Sequence, residues 1–179
     1  LLLVRWRSED VDVGNSLFAA PVDAAETLHQ RLQRGRLAIE GVQVNVEADL
    51  DGGVLAVRYG LGREPGLTTF AADGPDADGG WRAHAQDAGG VPVLVGPDAP
   101  AASTSVWRTA GERITHKLVA ADGVAIVDAG RLRSPVPIVA ASDLLAVLVN
   151  PVADQLVALT HLVPTLRQAV RGRVAVVLV

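Results

Sequence analysis

Two stretches decide how this sequence is read: residues 42–51, VQVNVEADLD, and residues 123–128, GVAIVD. Each is a short apolar run closed by carboxylates, Glu47 and Asp49 in the first and Asp128 in the second. Val42, Val44 and Val46 alternate with polar neighbours, the period of a strand, while Val124–Val127 is continuously apolar, as in a strand covered on both sides. In an open parallel sheet, ligands bind beyond the carboxyl ends of the strands. Carboxylates placed there can hold Mg²⁺ directly or through water and can orient an attacking water. The plainer reading makes the same acids helix caps or solvated loop residues.

Working outward, Leu1–Val4, Val91–Val95, Leu144–Val149 and Val174–Val179 read as further strands, and Val119–Val127 leads into Asp128 with a break around Asp122-Gly123. Between them lie helical patterns: Pro21 to about Gln33, Val54–Tyr59, Ser105–Lys117, and about Val152 to Arg171. In the last, Leu156, Leu159, Leu162, Leu166 and Val170 share a stripe, and Pro164 is expected to kink it. Glu64-Pro65-Gly66 reads as a turn. Residues 71–90, with five glycines and small or acidic neighbours, read as a flexible loop. Strands alternating with helices predict an α/β domain with a mostly parallel sheet in three layers, one domain over residues 1–179.

Composition narrows the function classes. With 49% hydrophobic residues, the chain is no disordered segment. It has no cysteine, which removes disulfides, thiolate metal sites and a cysteine nucleophile. The net charge of −4 gives no strong nucleic-acid signal. The longest strongly apolar stretch, Ile138–Val149, contains Asp143 and is too short for a transmembrane segment, so a cytoplasmic protein is expected. The absence of methionine predicts that Leu1 is not a translation start. The apolar run at the last residues likewise predicts a domain incomplete at both ends.

Residues 46–70, VEADLDGGVLAVRYGLGREPGLTTF, resemble the segment after the second strand of the MinD/ParA-like deviant P-loop ATPases and the related bacterial polysaccharide-chain tyrosine kinases. That pattern runs from apolar residues through two spaced acids, a Gly-rich step and a short helix to G-L-x-x-E-P-G-L. Residues 123–132, GVAIVDAGRL, followed by ASDLLAVLVNP at 141–151 and a long helix, resemble the family's Walker B strand and what comes after it. The resemblance implies a P-loop NTPase-like fold with ATP and Mg²⁺ as cofactors. By it, Asp128 is the metal residue, reaching Mg²⁺ through a water. Asp49 is the catalytic residue that positions water, and Glu47, where the family usually has Asp, supports the cofactor network. The family's work is ATP-driven dimerisation in partitioning, positioning or secretion-linked assembly, so a homodimer or a protein partner is implied.

The phosphate loop is where the sequence departs from the family. Such a loop needs glycines, a lysine and a Ser/Thr hydroxyl directly after the first strand. Residues 5–16, RWRSEDVDVGNS, offer one glycine and no lysine, and Glu9, Asp10 and Asp12 repel phosphate. Gly14 and Ser16 are the cofactor-binding remnants of a degenerate Walker A. The glycines of Gly62-Arg63-Glu64-Pro65-Gly66 are one residue too close for the motif, and this stretch reads as a turn. The chain's single lysine, Lys117, precedes the Walker B strand. Arginine's planar fork does not replace an ammonium. His29, His84, His116 and His161 lack metal-ligand spacing, and Ser103 and Ser105 lack a nucleophile-elbow setting. The expectation is a nucleotide-switch or scaffold domain with impaired hydrolysis. The rival is a non-catalytic regulatory or interaction module with a flavodoxin-like or receiver-like doubly wound fold.

Overall fold

A computed structural model of the chain describes residues 2–5, 42–74, 80–121, 123–131 and 136–179. The expected helix at 21–33, and Gly14 and Ser16, lie outside the described residues. The rest is mixed α/β. Strands β1 (Leu2–Arg5), β2 (Val42–Glu47), β3 (Gln86–Asp87), β4 (Pro92–Leu94), β5 (Val124–Asp128), β6 (Leu144–Val149) and β7 (Arg173–Leu178) form one sheet in the order β3-β4-β2-β5-β1-β6-β7. This differs from the 2-1-3-4-5 order of flavodoxin-like sheets.

The sheet is mostly parallel. β4, β2 and β5 pair parallel, as do β6 and β7. β3 is antiparallel to β4, and β1 is antiparallel to both β5 and β6. The first strand thus runs against the parallel set. Leu2 lies opposite Asp128 and Arg5 opposite Ala125, so the chain leaves β1 at the edge away from the acids.

Helices α1 (Leu55–Tyr59), α2 (Leu67–Ala72), α3 (Pro100–Ala120), α4 (Pro137–Ala140) and α5 (Ala153–Ala169) connect the strands. α3 begins five residues before the expected Ser105, because Pro100 at its first turn carries a preset helical φ and needs no donor there. It then runs to Ala120, so the expected Val119–Val127 strand shortens to Val124–Asp128. α5 continues without a break through Pro164.

One face of the sheet carries the main core: Val44, Val46, Val127, Leu145 and Val147 pack with Phe70, Trp107, Ile114 and Leu166. On the other face Leu55 of α1 packs with Val93 and Val95. The stretch expected to be a flexible loop holds more structure than its glycines suggest. α2 reaches Ala72, a 3₁₀ turn spans Trp81–His84, and Trp81 and His84 are buried. The indole supplies enough apolar surface to pull its turn into the core.

Candidate functional site

The carboxyl ends of β2 and β5 lie side by side, with Glu47 in register with Asp128 and the Ala48 N–H donating to the Asp128 carbonyl at 2.7 Å. Sequence reading thus identified three acids that the fold brings to one edge. Their surroundings differ sharply.

Glu47 is 2% exposed and fully engaged. Its Oε1 accepts from the N–H groups of Val54 (2.5 Å) and Leu55 (2.7 Å), and its Oε2 accepts from Gly96 N–H (2.9 Å). The side chain therefore ties the end of β2 to the start of α1 and to the turn after β4. Burial raises its pKa above the ordinary glutamate value. The three backbone donors oppose that rise, and the neighbouring Asp128 charge adds to it. A methyl group on Gly53 would overlap this carboxylate, so Gly53 is glycine to let the backbone close over it. With both oxygens held by backbone donors, Glu47 staples the loops and has no oxygen free of a backbone partner for a cofactor.

Asp49 and Asp128 are half-buried, and both side chains lie against Gly130. Asp128 Oδ1 accepts from Gly130 N–H at 2.9 Å. Asp49 Oδ1 accepts from Asp51 N–H at 2.8 Å, an Asx turn. Gly130 has φ +56°, and a Cβ there would overlap the Asp49 carboxyl group. The buried Ser103 at the start of α3 donates its hydroxyl to the Asp49 carbonyl at 2.6 Å and fixes that residue's backbone. Ser103 and Gly130 are positioning residues whose roles carry no sequence motif. The only local signal was Gly130 two residues after Asp128; Ser103 has no acid near it in the sequence.

A cation at this edge would find two carboxylates, Asp49 and Asp128, each with one oxygen already taking a backbone N–H. Among the described residues no three His, Asp or Glu side chains converge as a metal cage. Waters or ligand phosphates would have to complete the coordination of Mg²⁺.

Lys117 lies far from this edge. α3 starts beside Asp49 through Ser103, and Lys117 sits 17 residues along it from Pro100, roughly 25 Å at the helical rise. Its ammonium stands 5.9 Å from the centroid of the Phe70 ring. β1 also ends at the wrong edge for a phosphate loop: Arg5 is three strand residues, about 10 Å, from the level of Asp128.

A second polar cluster escaped sequence reasoning. His84 Nε2 lies 2.6 Å from Asp73 Oδ2, and its Nδ1 lies 2.9 Å from Thr69 Oγ1. The ring stacks on Phe70 with centroids 5.2 Å apart. Thr69 also closes the first turn of α2 through its bonds with Gly66. The cluster clips the 3₁₀ turn to α2. It had no signal because its members come from unrelated local patterns.

No family model, curated protein or solved structure matches this chain. The site must therefore be judged on its own chemistry.

Proposed function

We propose that the chain is a nucleotide-switch scaffold of the MinD/ParA kind, a three-layer P-loop-type domain that keeps the carboxylate half of the site and is impaired in hydrolysis. The observation that carries this reading is the convergence of Asp49 and Asp128 around Gly130, at the carboxyl ends of adjacent parallel strands. Bound Mg·ATP would supply the metal charge and the phosphates. Asp128 would hold a metal-bound water, and Asp49 would orient a second water. The distance of Lys117 and the reversed direction of β1 support the impairment. The proposed place of action is the cytoplasm, with a protein partner or a second copy as target.

The direct test is titration of a fluorescent ATP analogue with and without Mg²⁺, alongside phosphate release. The expected result is weak, Mg²⁺-dependent binding that is lost in Asp128→Ala, with no release above the protein-free rate. Micromolar binding with turnover, both lost in Asp128→Ala, would overturn the impairment. The reversed β1 and the backbone-saturated Glu47 favour a second reading, a non-catalytic interaction module. Absence of any Mg²⁺-dependent binding selects it.

A further inference from the structure

The 3₁₀ turn at Trp81–His84 is joined to α2 through one buried titratable side chain. His84 is 8% exposed, and each ring nitrogen has one polar partner. Asp73 Oδ2 lies 2.6 Å from Nε2, and Thr69 Oγ1 lies 2.9 Å from Nδ1. The direction of these two bonds follows from counting protons. A threonine hydroxyl has one proton to give and two lone pairs to accept with. Thr69 gives its proton to the Gly66 carbonyl at 2.9 Å and accepts the Gly66 N–H at 3.0 Å. What remains toward Nδ1 is a lone pair. An ionised Asp73 carboxylate is also only an acceptor. Both ring nitrogens must then donate, and only the imidazolium form does so.

We propose that His84 is a proton-operated latch: its imidazolium fastens the Trp81–His84 turn to α2, and loss of the proton loosens the joint. The neutral ring has a single N–H. If that proton sits on Nδ1, Nε2 faces the Asp73 carboxylate as acceptor against acceptor. If it sits on Nε2, Thr69 can satisfy Nδ1 only by turning its own proton away from Gly66. One bond is lost in either case. The Gly66 carbonyl still accepts the Phe70 N–H at 3.0 Å, so α2 stays helical and the change is confined to the joint. The latch is therefore closed while Asp73 is ionised and His84 is protonated. It opens as pH rises through the titration of the ring.

The turn packs against α2, α3 and β4. From α2 the facing charge is Asp73. From α3, the Lys117 ammonium stands 5.9 Å from the centroid of the Phe70 ring on which His84 stacks. Arg113 of the same helix donates to the Phe70 and Ala71 carbonyls at 3.3 and 2.8 Å. β4, Pro92–Leu94, carries no titratable side chain. Within the turn, the Arg82 guanidinium lies 4.6 Å from the Trp81 ring centroid. These cations oppose a charge on His84, whereas the Asp73 carboxylate, in direct contact, holds the proton on the ring. The joint also reaches the acidic edge. Leu67 N–H, beside Gly66, donates to the Val95 carbonyl, and the next residue, Gly96, donates to Glu47.

This latch stands without the nucleotide reading. It is tested on the whole chain, without nucleotide, from mildly acidic to mildly alkaline pH. Nitrogen NMR of labelled histidine reports whether each ring nitrogen carries a proton, and trypsin cleavage after Arg82 reports opening of the turn. Dividing each cleavage rate by that of His84→Ala at the same pH removes the protease's own pH dependence. The Trp81 indole resonance, followed over the same series, gives a second reading that needs no variant. The expected result is a doubly protonated His84 ring at mildly acidic pH. As the ring loses its proton, relative cleavage should rise roughly tenfold, the worth of one hydrogen bond to a charged group. Asp73→Asn keeps an acceptor for Nε2 without its charge, and the step should move to lower pH. A ring that holds one proton at mildly acidic pH overturns the proposal. So does cleavage, or an indole resonance, that does not change where His84 titrates, or a step that Asp73→Asn leaves in place.

Discussion

Replacing Glu47 by alanine leaves three backbone N–H groups without their acceptor: Val54, Leu55 and Gly96. An unsatisfied buried donor costs about 1–3 kcal/mol. The Leu55 bond is buried and the other two are part-buried, so water can recover some of their loss. The expected net destabilisation is about 3–4 kcal/mol, a large share of the roughly 5–15 kcal/mol that holds a domain folded. Glu47→Gln separates shape from charge. Its amide oxygen can serve Val54 and Leu55, but its NH₂ then confronts the Gly96 N–H. Losing that one bond costs about 1–3 kcal/mol, partly offset because no charge is desolvated.

The pH dependence has a definite sign. Burial raises the folded-state pKa of Glu47, so the folded chain binds its proton more tightly than the unfolded chain does. The resulting stabilisation is fully present below the unfolded glutamate value of about 4.3 and is lost as pH rises through the folded value. Urea unfolding of wild type and Glu47→Gln across mildly acidic to neutral pH checks this. The wild-type advantage should shrink as pH rises through that window and then level off. An advantage that grows instead would show that the backbone donors outweigh burial. If Glu47→Ala unfolds at the wild-type midpoint, the staple itself is refuted.

Other perturbations follow from the same geometry. Gly130→Ala puts a Cβ at a positive φ and into the Asp49 carboxyl group; the φ alone costs about 1–2 kcal/mol, and the denaturant midpoint should fall by more than that. Ser103→Ala frees the Asp49 carbonyl from its 2.6 Å partner and should cost about 1 kcal/mol in the same measurement. His84→Ala removes both polar contacts and the ring stacked on Phe70; a loss of about 2–4 kcal/mol is expected, with faster proteolysis of the Trp81–His84 turn. An unchanged cleavage rate would show that the cluster does not hold the turn.

Much of this architecture was legible because the pattern at several elements admits one solution. Leu144–Val149 is apolar throughout and stopped by Asn150-Pro151, and it is a strand with those bounds. The run to Asp128 and the alternation to Glu47 placed the acids at one edge before any contact was known. The ends of α3 were less legible. Its first turn, Pro100-Ala101-Ala102-Ser103, has little apolar periodicity, and its start depends on proline geometry and on the Ser103 bond to Asp49. The role of Glu47 was hidden for another reason. Its type suggests a ligand, but its partners come from two loops, and only their closure in space turns the carboxylate into a staple.

The direction of β1 is the hardest feature to read and the one with the largest consequence. Four residues, LLVR, suit a strand in either direction, since an apolar run paired between two strands carries no signal of its direction. Its apolar composition suits a place in the sheet, but that composition does not encode its direction. In the structure that direction sends Arg5 to the edge opposite Asp128. A phosphate loop works because backbone N–H groups follow directly on the strand at the edge where the metal-binding acid stands. With β1 reversed, Arg5 ends about 10 Å from the level of Asp128. Among the described residues, β1 itself brings no backbone donor to a phosphate beside Asp49 and Asp128. The acidic edge and the first strand thus pull the functional reading in opposite directions, and for this reason Mg²⁺ dependence of nucleotide binding is the measurement that separates a switch from an interaction module.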